Sequence, residues 1–426
     1  MSATRIAWTS IILLCVALCG CARQDEKVTT LRFWALGREG EVVTELVQDF
    51  ERLHPNIRIT VQQQPFTAAH EKLLTAYAGD SLPDIGQIGN TWLPEFAALH
   101  ALAPLQARVD TSAIVKVDDY FPGIWDTNRI DDTLFGIPWY VDTRLIFYRK
   151  DLLAEAGITT FPRTWDEWLV AMRAVKKKAG PDKYAILLPL NEYEEILSLS
   201  LQEADPLLTD NNTRGNFQSP GFRRAFDFYT NIFREQLAPR MSDTQISNVW
   251  DEFAAGFYTF YITGPWNVGE FRRRLPAEFQ NKWTTAPLPG PTGPGAGLAG
   301  GTSLVIFAKS EKQDAAWQFI EFLSAPEQQL RFMKLSGDLP ARRSAWADPA
   351  LTSDAETLAF RDQLERVKPP PKVPEWERIA VAMRLTVERV VRGNADTTAT
   401  LNDLNKEVDV MLEKRRWMLQ QKKAAP

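Results

Sequence analysis

Thr30-Leu31-Arg32-Phe33-Trp34, then Val42, Val43, Leu46, Val47, Phe50 and Leu53, then Ile57, Ile59 and Val61: these residues decide the fold class. The first run reads as a strand. The second has the three- and four-residue spacing of an amphipathic helix, predicted from Glu41 to His54. Pro55-Asn56 stops it, and the alternation at 57–61 predicts a second strand. Strand, helix, strand in so short a span is a βαβ unit and implies parallel pairing. Ala35-Leu36-Gly37-Arg38-Glu39-Gly40 is expected to be the turn after the first strand.

Alternating elements continue from there. Helices are predicted over about 68–78, 92–99, 119–125 and 165–178. The last has Thr164 and Glu167 as a capping box. Strands are predicted at 84–88, 145–149, 257–262 and 304–308, and a proline-interrupted strand over 133–142. The segment 284–301 holds six glycines and four prolines and is expected to be an irregular crossover. Helices dominate beyond about 352. The chain is α/β, but the units do not form one continuous run.

Length and charge narrow the function. A chain of 426 residues suggests two or three domains at roughly 100–200 residues each. The net charge is −5, without the basic excess of a nucleic-acid binder. Fourteen tryptophans are many for this length. Arg5 is the only charge in Met1–Gly20, ahead of a short apolar run at 6–18 that is too brief to span a bilayer. This start reads as an export signal. It exits through Leu18-Cys19-Gly20-Cys21, which resembles a bacterial lipobox with Cys21 as the lipidated residue. The three cysteines, 15, 19 and 21, all lie here, so the rest of the chain has no disulfide.

Catalytic motifs are missing. Histidines 54, 70 and 100 are separated and form no zinc motif. There is no Gly-x-Ser-x-Gly elbow and no Walker A loop. A glycosidase would need two opposed carboxylates, for which Glu39 and Asp142 are the available pair. The chain is expected not to be an enzyme, and to need no cofactor or metal.

Five motifs carry a family resemblance. They are Phe33-Trp34 with His54-Pro55-Asn56; Ala78-Gly79-Asp80-Ser81-Leu82-Pro83-Asp84; Gly136-Ile137-Pro138-Trp139-Tyr140-Val141-Asp142; Thr263-Gly264-Pro265-Trp266; and Gly300-Gly301-Thr302-Ser303. In this order the chain resembles the extracellular solute-binding proteins of maltose- and trehalose-type ABC importers. The resemblance implies two α/β lobes joined by hinge strands, with a ligand cleft between them. It implies a signal peptide at 1–20, a tether at 21–27, an N-lobe of 28–139 with 302–340, and a C-lobe of 140–301 with 341–420. It also implies a lipid-anchored protein on the extracytoplasmic face, expected to be a monomer, that delivers a disaccharide or short oligosaccharide to permease subunits. Glycerophosphodiesters are a competing ligand class.

A sugar needs flat aromatic faces and planar polar rims. Alternation puts Tyr140 and Asp142 on one face of their strand. Arg38 and Glu39 follow the first strand, and His70 opens a helix. Asn90 and Trp92 follow the 84–88 strand, where related proteins often carry an aspartate. Gly301 and Thr302 would let backbone N–H groups approach a ligand. The resemblance adds Trp266 and Trp376 as stacking aromatics and Glu194 as a polar contact. Trp34, Trp165, Trp168 and Trp317 are expected in the core.

Overall fold

A computed structural model describes residues 28–424. The expected signal segment, Cys21 and the 21–27 tether lie outside the described residues. Strand β1 (Thr29–Leu36) buries Leu31, Phe33 and Ala35 completely. Helix α1 (Gly37–Leu53) buries Val43, Leu46, Val47 and Phe50, the apolar stripe its spacing predicts. Strand β2 (Ile57–Gln64) pairs with β1 in parallel, from Thr29↔Ile57 to Leu36↔Gln64. The expected turn at 35–40 is not there. Leu36 ends the strand and Gly37, at φ +44°, starts the helix directly, so Arg38 and Glu39 sit in its first turn.

The chain continues through α2 (Phe66–Ala78), β3 (Ile85–Gly89), α3 (Leu93–Ala98), β4 (Ile137–Asp142) and β5 (Leu145–Arg149). Next come α4 (Trp165–Ala179), β6 (Ile186–Leu187), α5 (Glu194–Leu201), α6 (Pro220–Arg234), β7 (Phe260–Thr263), α7 (Trp266–Arg274) and β8 (Trp283–Ala286). Then follow β9 (Gly300–Ile306), α8 (Gln313–Ser324), α9 (Pro326–Ser336) and β10 (Leu339–Pro340). The last long elements are α10 (Trp376–Gly393), α11 (Thr397–Met411) and α12 (Glu413–Ala424). The capping box on α4 forms as read: the Glu167 N–H donates to Thr164 Oγ1 and the Thr164 N–H to the Glu167 carboxylate. Among the described residues, no helix is long and apolar enough to cross a membrane.

Two sheets organise the α/β fold in the bilobed arrangement of periplasmic binding proteins. One has the order β10-β4-β9-β3-β1-β2, the other β8-β5-β7-β6. In the first sheet, parallel pairing, read from the first βαβ unit, holds for β2-β1-β3 alone. β9 runs antiparallel to both β3 and β4, so the sheet is mixed.

The chain passes from the first sheet to the second between β4 and β5, with only Thr143 and Arg144 outside strands. It returns between β8 and β9. The 284–301 segment is therefore not wholly irregular. Its ends are strands, 297–298 forms a short parallel pair with 367–368, and the proline-rich middle is the loop. The two passages lie side by side, with Gly300 opposite Asp142 and Gly301 opposite Val141. Pro138 does not break β4. A shift in the β9 register between Thr302 and Ser303 accommodates it.

Trp165, Trp168 and Trp317 are buried, and Trp34 is partly so. Trp139 is core as well, stacked on Phe332 with ring centroids 4.3 Å apart. The predicted 119–125 helix is a short 3-10 turn at Val117–Asp119 followed by a helix at Pro122–Asp126, because the proline needs the extended residue before it.

Gly301 has φ +111°, and a Cβ there would overlap the Tyr140 carbonyl. Gly301→Ala is expected to destabilise the fold by about 2 kcal/mol or more, read by thermal or urea unfolding.

Candidate functional site: the cleft where the chain crosses between the sheets

The cavity at this crossing has a volume of about 430 Å³. Its first wall comes from the start of α2 and the loop after β3: Phe66, Thr67, His70, Glu71 and Gly89 to Trp92. Its floor is the crossing itself: Asp142, Thr143, Arg144, Leu298, Gly300 and Gly301. Its far wall is Tyr193, Glu194 and Glu377. Six of the residues singled out in the sequence meet here: His70, Asn90, Trp92, Asp142, Glu194 and Gly301.

Arg144 is the centre of the polar floor. Its guanidinium is 3.0 Å from the Asp142 carboxylate and 3.3 Å from that of Glu194, and the residue is buried. Asp142 closes β4, and Glu194 stands in the first turn of α5. Burial works against the Arg144 charge, but Asp142 and Glu194, with Glu192 and Glu195 behind them, raise its pKa. Burial likewise raises Asp142, and Arg144 only partly offsets it. The guanidinium also lies over the Trp266 ring, 4.8 Å from its centroid. Trp266 is 42% exposed at the start of α7. It folds back over Gly264, where any side chain would occupy the indole's place. Trp266 therefore lies beside the cleft, against Arg144, and does not line the cavity.

The first wall is held by short polar contacts. His70 Nε2 is 2.7 Å from Glu95 Oε2, and this hydrogen bond raises the histidine pKa against the effect of burial. The His70 ring is 5.2 Å from Trp92, which is 5.8 Å from Phe66. Asn90 is committed to β9. Its backbone N–H donates to the Gly301 carbonyl, Nδ2 donates to the Gly300 carbonyl, and Oδ1 accepts from Ser303 Oγ at 2.9 Å. The Asn90 amide thus holds the returning strand.

The remaining expected residues stand elsewhere. Thr302 is buried, its hydroxyl accepting from Gln87 Nε2. Arg38 donates to the Leu335 carbonyl from an exposed position. The Tyr140 hydroxyl donates to Glu39 Oε1 at 3.0 Å. Burial raises the Glu39 pKa. Asp338 lies near this pair, and burial with the nearby Glu39 charge pushes its pKa up to about 7. Trp376 is 1% exposed and belongs to the core of the second sheet's side. Its neighbour Glu377 faces the cavity instead, with a pKa raised by burial and one carboxylate oxygen lacking a protein partner.

Arg144, Tyr193 and Glu377 escaped the sequence reading. Arg144 was two residues from the Tyr140–Asp142 pair, at a position whose burial only the crossing reveals. Glu377 is the chain neighbour of Trp376, which the sequence had singled out.

Glu192, Glu194 and Glu195 have carboxylate oxygens within 4.8 Å of one another. Glu195 is 1% exposed, and burial followed by its glutamate neighbours raises its pKa well above the ordinary value. The Arg144 cation opposes this shift only in part. Glu39 and Asp142 hydrogen-bond to Tyr140 and Arg144 respectively, an arrangement that supports binding rather than acid–base chemistry.

Two outcomes follow from these charges. Arg144→Met strands two facing carboxylates and is expected to lower stability by about 3 kcal/mol, measured by urea unfolding at neutral pH. Asp338 binds its proton more tightly when folded than when unfolded. Its contribution to stability is present in acid and is lost as pH rises through about 7. Asp338→Asn should therefore raise the melting temperature at pH 8 relative to the parent, with little difference at pH 4.

Comparison with known proteins accords with this architecture. Residues 34–330 match the model of the bacterial extracellular solute-binding proteins. The structure of the sugar-binding protein MalE from Xanthomonas citri is similar at a TM-score of 0.90 and 58% identity, covering 92% of this chain and 100% of that one. The diacetylchitobiose binding protein DasA of Streptomyces coelicolor is 24% identical, over 82% of this chain and 81% of its own length. The GacH receptor of Streptomyces glaucescens shares the fold at a TM-score of 0.77 and 22% identity, covering 91% of this chain and 99% of that one. This chain is a member of the bacterial extracellular solute-binding protein family.

Proposed function

We propose that this chain is the capture component of an ABC sugar importer, binding a disaccharide or short oligosaccharide. α-Glucosides such as trehalose and maltose are the first candidates. The observation that carries the reading is the cavity itself. At about 430 Å³ it falls in the size range of small-molecule sites, and it sets aromatic rings beside carboxylates. Trp92, Phe66 and Tyr193 offer faces for sugar C–H groups. Asp142, Glu194 and Glu377 offer acceptors for hydroxyls. The sugar-binding role in the name of the Xanthomonas citri relative supports the same reading.

The charge of the cleft weighs against a glycerophosphodiester. Glu71, Asp142, Glu194 and Glu377 line it, while its buried cation, Arg144, already holds two carboxylates. A phosphate would add negative charge to an acidic, half-enclosed site. A neutral polyol adds only donors and acceptors.

The mechanism we infer is hinge closure. The lobes are taken as 28–139 with 302–340 and 140–301 with 341–420, rotating about the paired passages at 142–145 and 296–301. A ligand favours closure only through contacts that are better in the closed state. The closed form would dock on permease subunits, with the body held at the membrane through a lipid on Cys21.

Isothermal titration of the chain from residue 28, which contains every described element, tests this. Trehalose, maltose, sucrose and a glycerophosphodiester form the panel. Micromolar binding of a neutral glycoside without turnover is expected, and Phe66→Ala, which removes an exposed ring from the cavity wall, should weaken it about tenfold. Binding of the phosphodiester alone would reverse the assignment.

A further inference from the structure

Helix α12 packs by one face and leaves the other bare. Leu412, just before it, is buried, and Arg416 pins the helix by donating to the carbonyls of Thr213 at 2.8 Å and Asp409 at 3.4 Å. On the opposite side Lys414, Trp417 and Met418 share one exposed face at helical spacing. Trp417 is 60% exposed and Met418 46%, and Val410, at the end of α11, is 70% exposed. An indole left this open is unusual in a chain that buries most of its tryptophans. The charge is unusual too. Residues 413–424 carry five basic side chains and one acidic, in a chain whose net charge is −5.

We propose that this face of α12 rests on the surface of a bilayer containing anionic lipids. Cations along the helix meet phosphate headgroups, while the Trp417 indole and the Met418 thioether enter the boundary between headgroups and acyl chains. Charge complementarity selects this occupant. A basic helix that presents Trp417 beside the exposed Lys414, on an acidic protein, is attracted to a negative surface that repels the rest of the molecule. Docking of this kind is weak and reversible by itself. It would orient a body already held near the membrane and would not replace an anchor.

The test uses the chain from residue 28, which lacks Cys21 and so reports the helix alone. The protein is sedimented with vesicles of phosphatidylcholine and with vesicles that also contain phosphatidylglycerol. Binding to the second kind only, released by high salt, is the expected result. Lys414→Glu with Trp417→Ser should reduce the partition coefficient about tenfold or more. Both positions are solvent-exposed, and circular dichroism together with an unchanged melting temperature would show that the variant is folded. Absence of binding to phosphatidylglycerol vesicles overturns the proposal. So does equal binding to both vesicle types, or a folded double variant that sediments as well as the parent. Sugar titrations proceed independently, because α12 contributes no residue to the cavity.

Discussion

The site depends on one buried cation between two carboxylates. Arg144 sits in the two-residue link by which the chain leaves the first sheet for the second. Removing a guanidinium from water is costly unless its charge is balanced on the spot. Asp142 balances it from the strand just completed, and Glu194 from a helix on the far side. The same cation braces Trp266. The link is thus fixed by charge where it is shortest, and the carboxylates left over give the cleft its acidic character.

The second constraint is backbone proximity. The returning strand must lie against the outgoing one, and the close approach at Gly301 leaves no room for a side chain. Asn90 then ties the loop after β3 to the same returning strand through three hydrogen bonds. Both passages and the first wall of the cavity are therefore one hydrogen-bonded unit. A ligand touching that unit and the far wall from Tyr193 to Glu377 would contact both sides of the crossing, as the proposed hinge closure requires.

Buried ionisable groups stand at the cavity and behind it. Asp142, Glu39, Asp338, Glu195 and Glu377 all have carboxyl pKa values raised, with burial the largest cause in each. A fold optimised only for stability would place such groups in solvent. Asp142 and Glu377, the two of these that line the cavity, are placed to offer acceptors to hydroxyl donors.

Much of this was legible from residue order. The first βαβ unit follows from local periodicity, and the α4 cap from a four-residue signature, because both depend on neighbours in the chain. Glycine and proline marked 284–301 as a passage between elements; Asp142 and Gly301 lay in the motifs of the family resemblance, which also supplied Glu194, while His70, Asn90 and Trp92 were singled out by their places beside predicted elements. What residue order left undecided was orientation. Trp376 and Glu377 are adjacent, yet only packing of α10 shows which one enters the core and which faces the cavity. Tyr140 and Asp142 share a strand face, yet the tyrosine hydrogen-bonds to Glu39 while the aspartate reaches the cavity. Arg144 has no local signature at all. Its role exists because residues 50 positions apart and two separate sheets converge on it, and such convergence is a property of the tertiary fold alone.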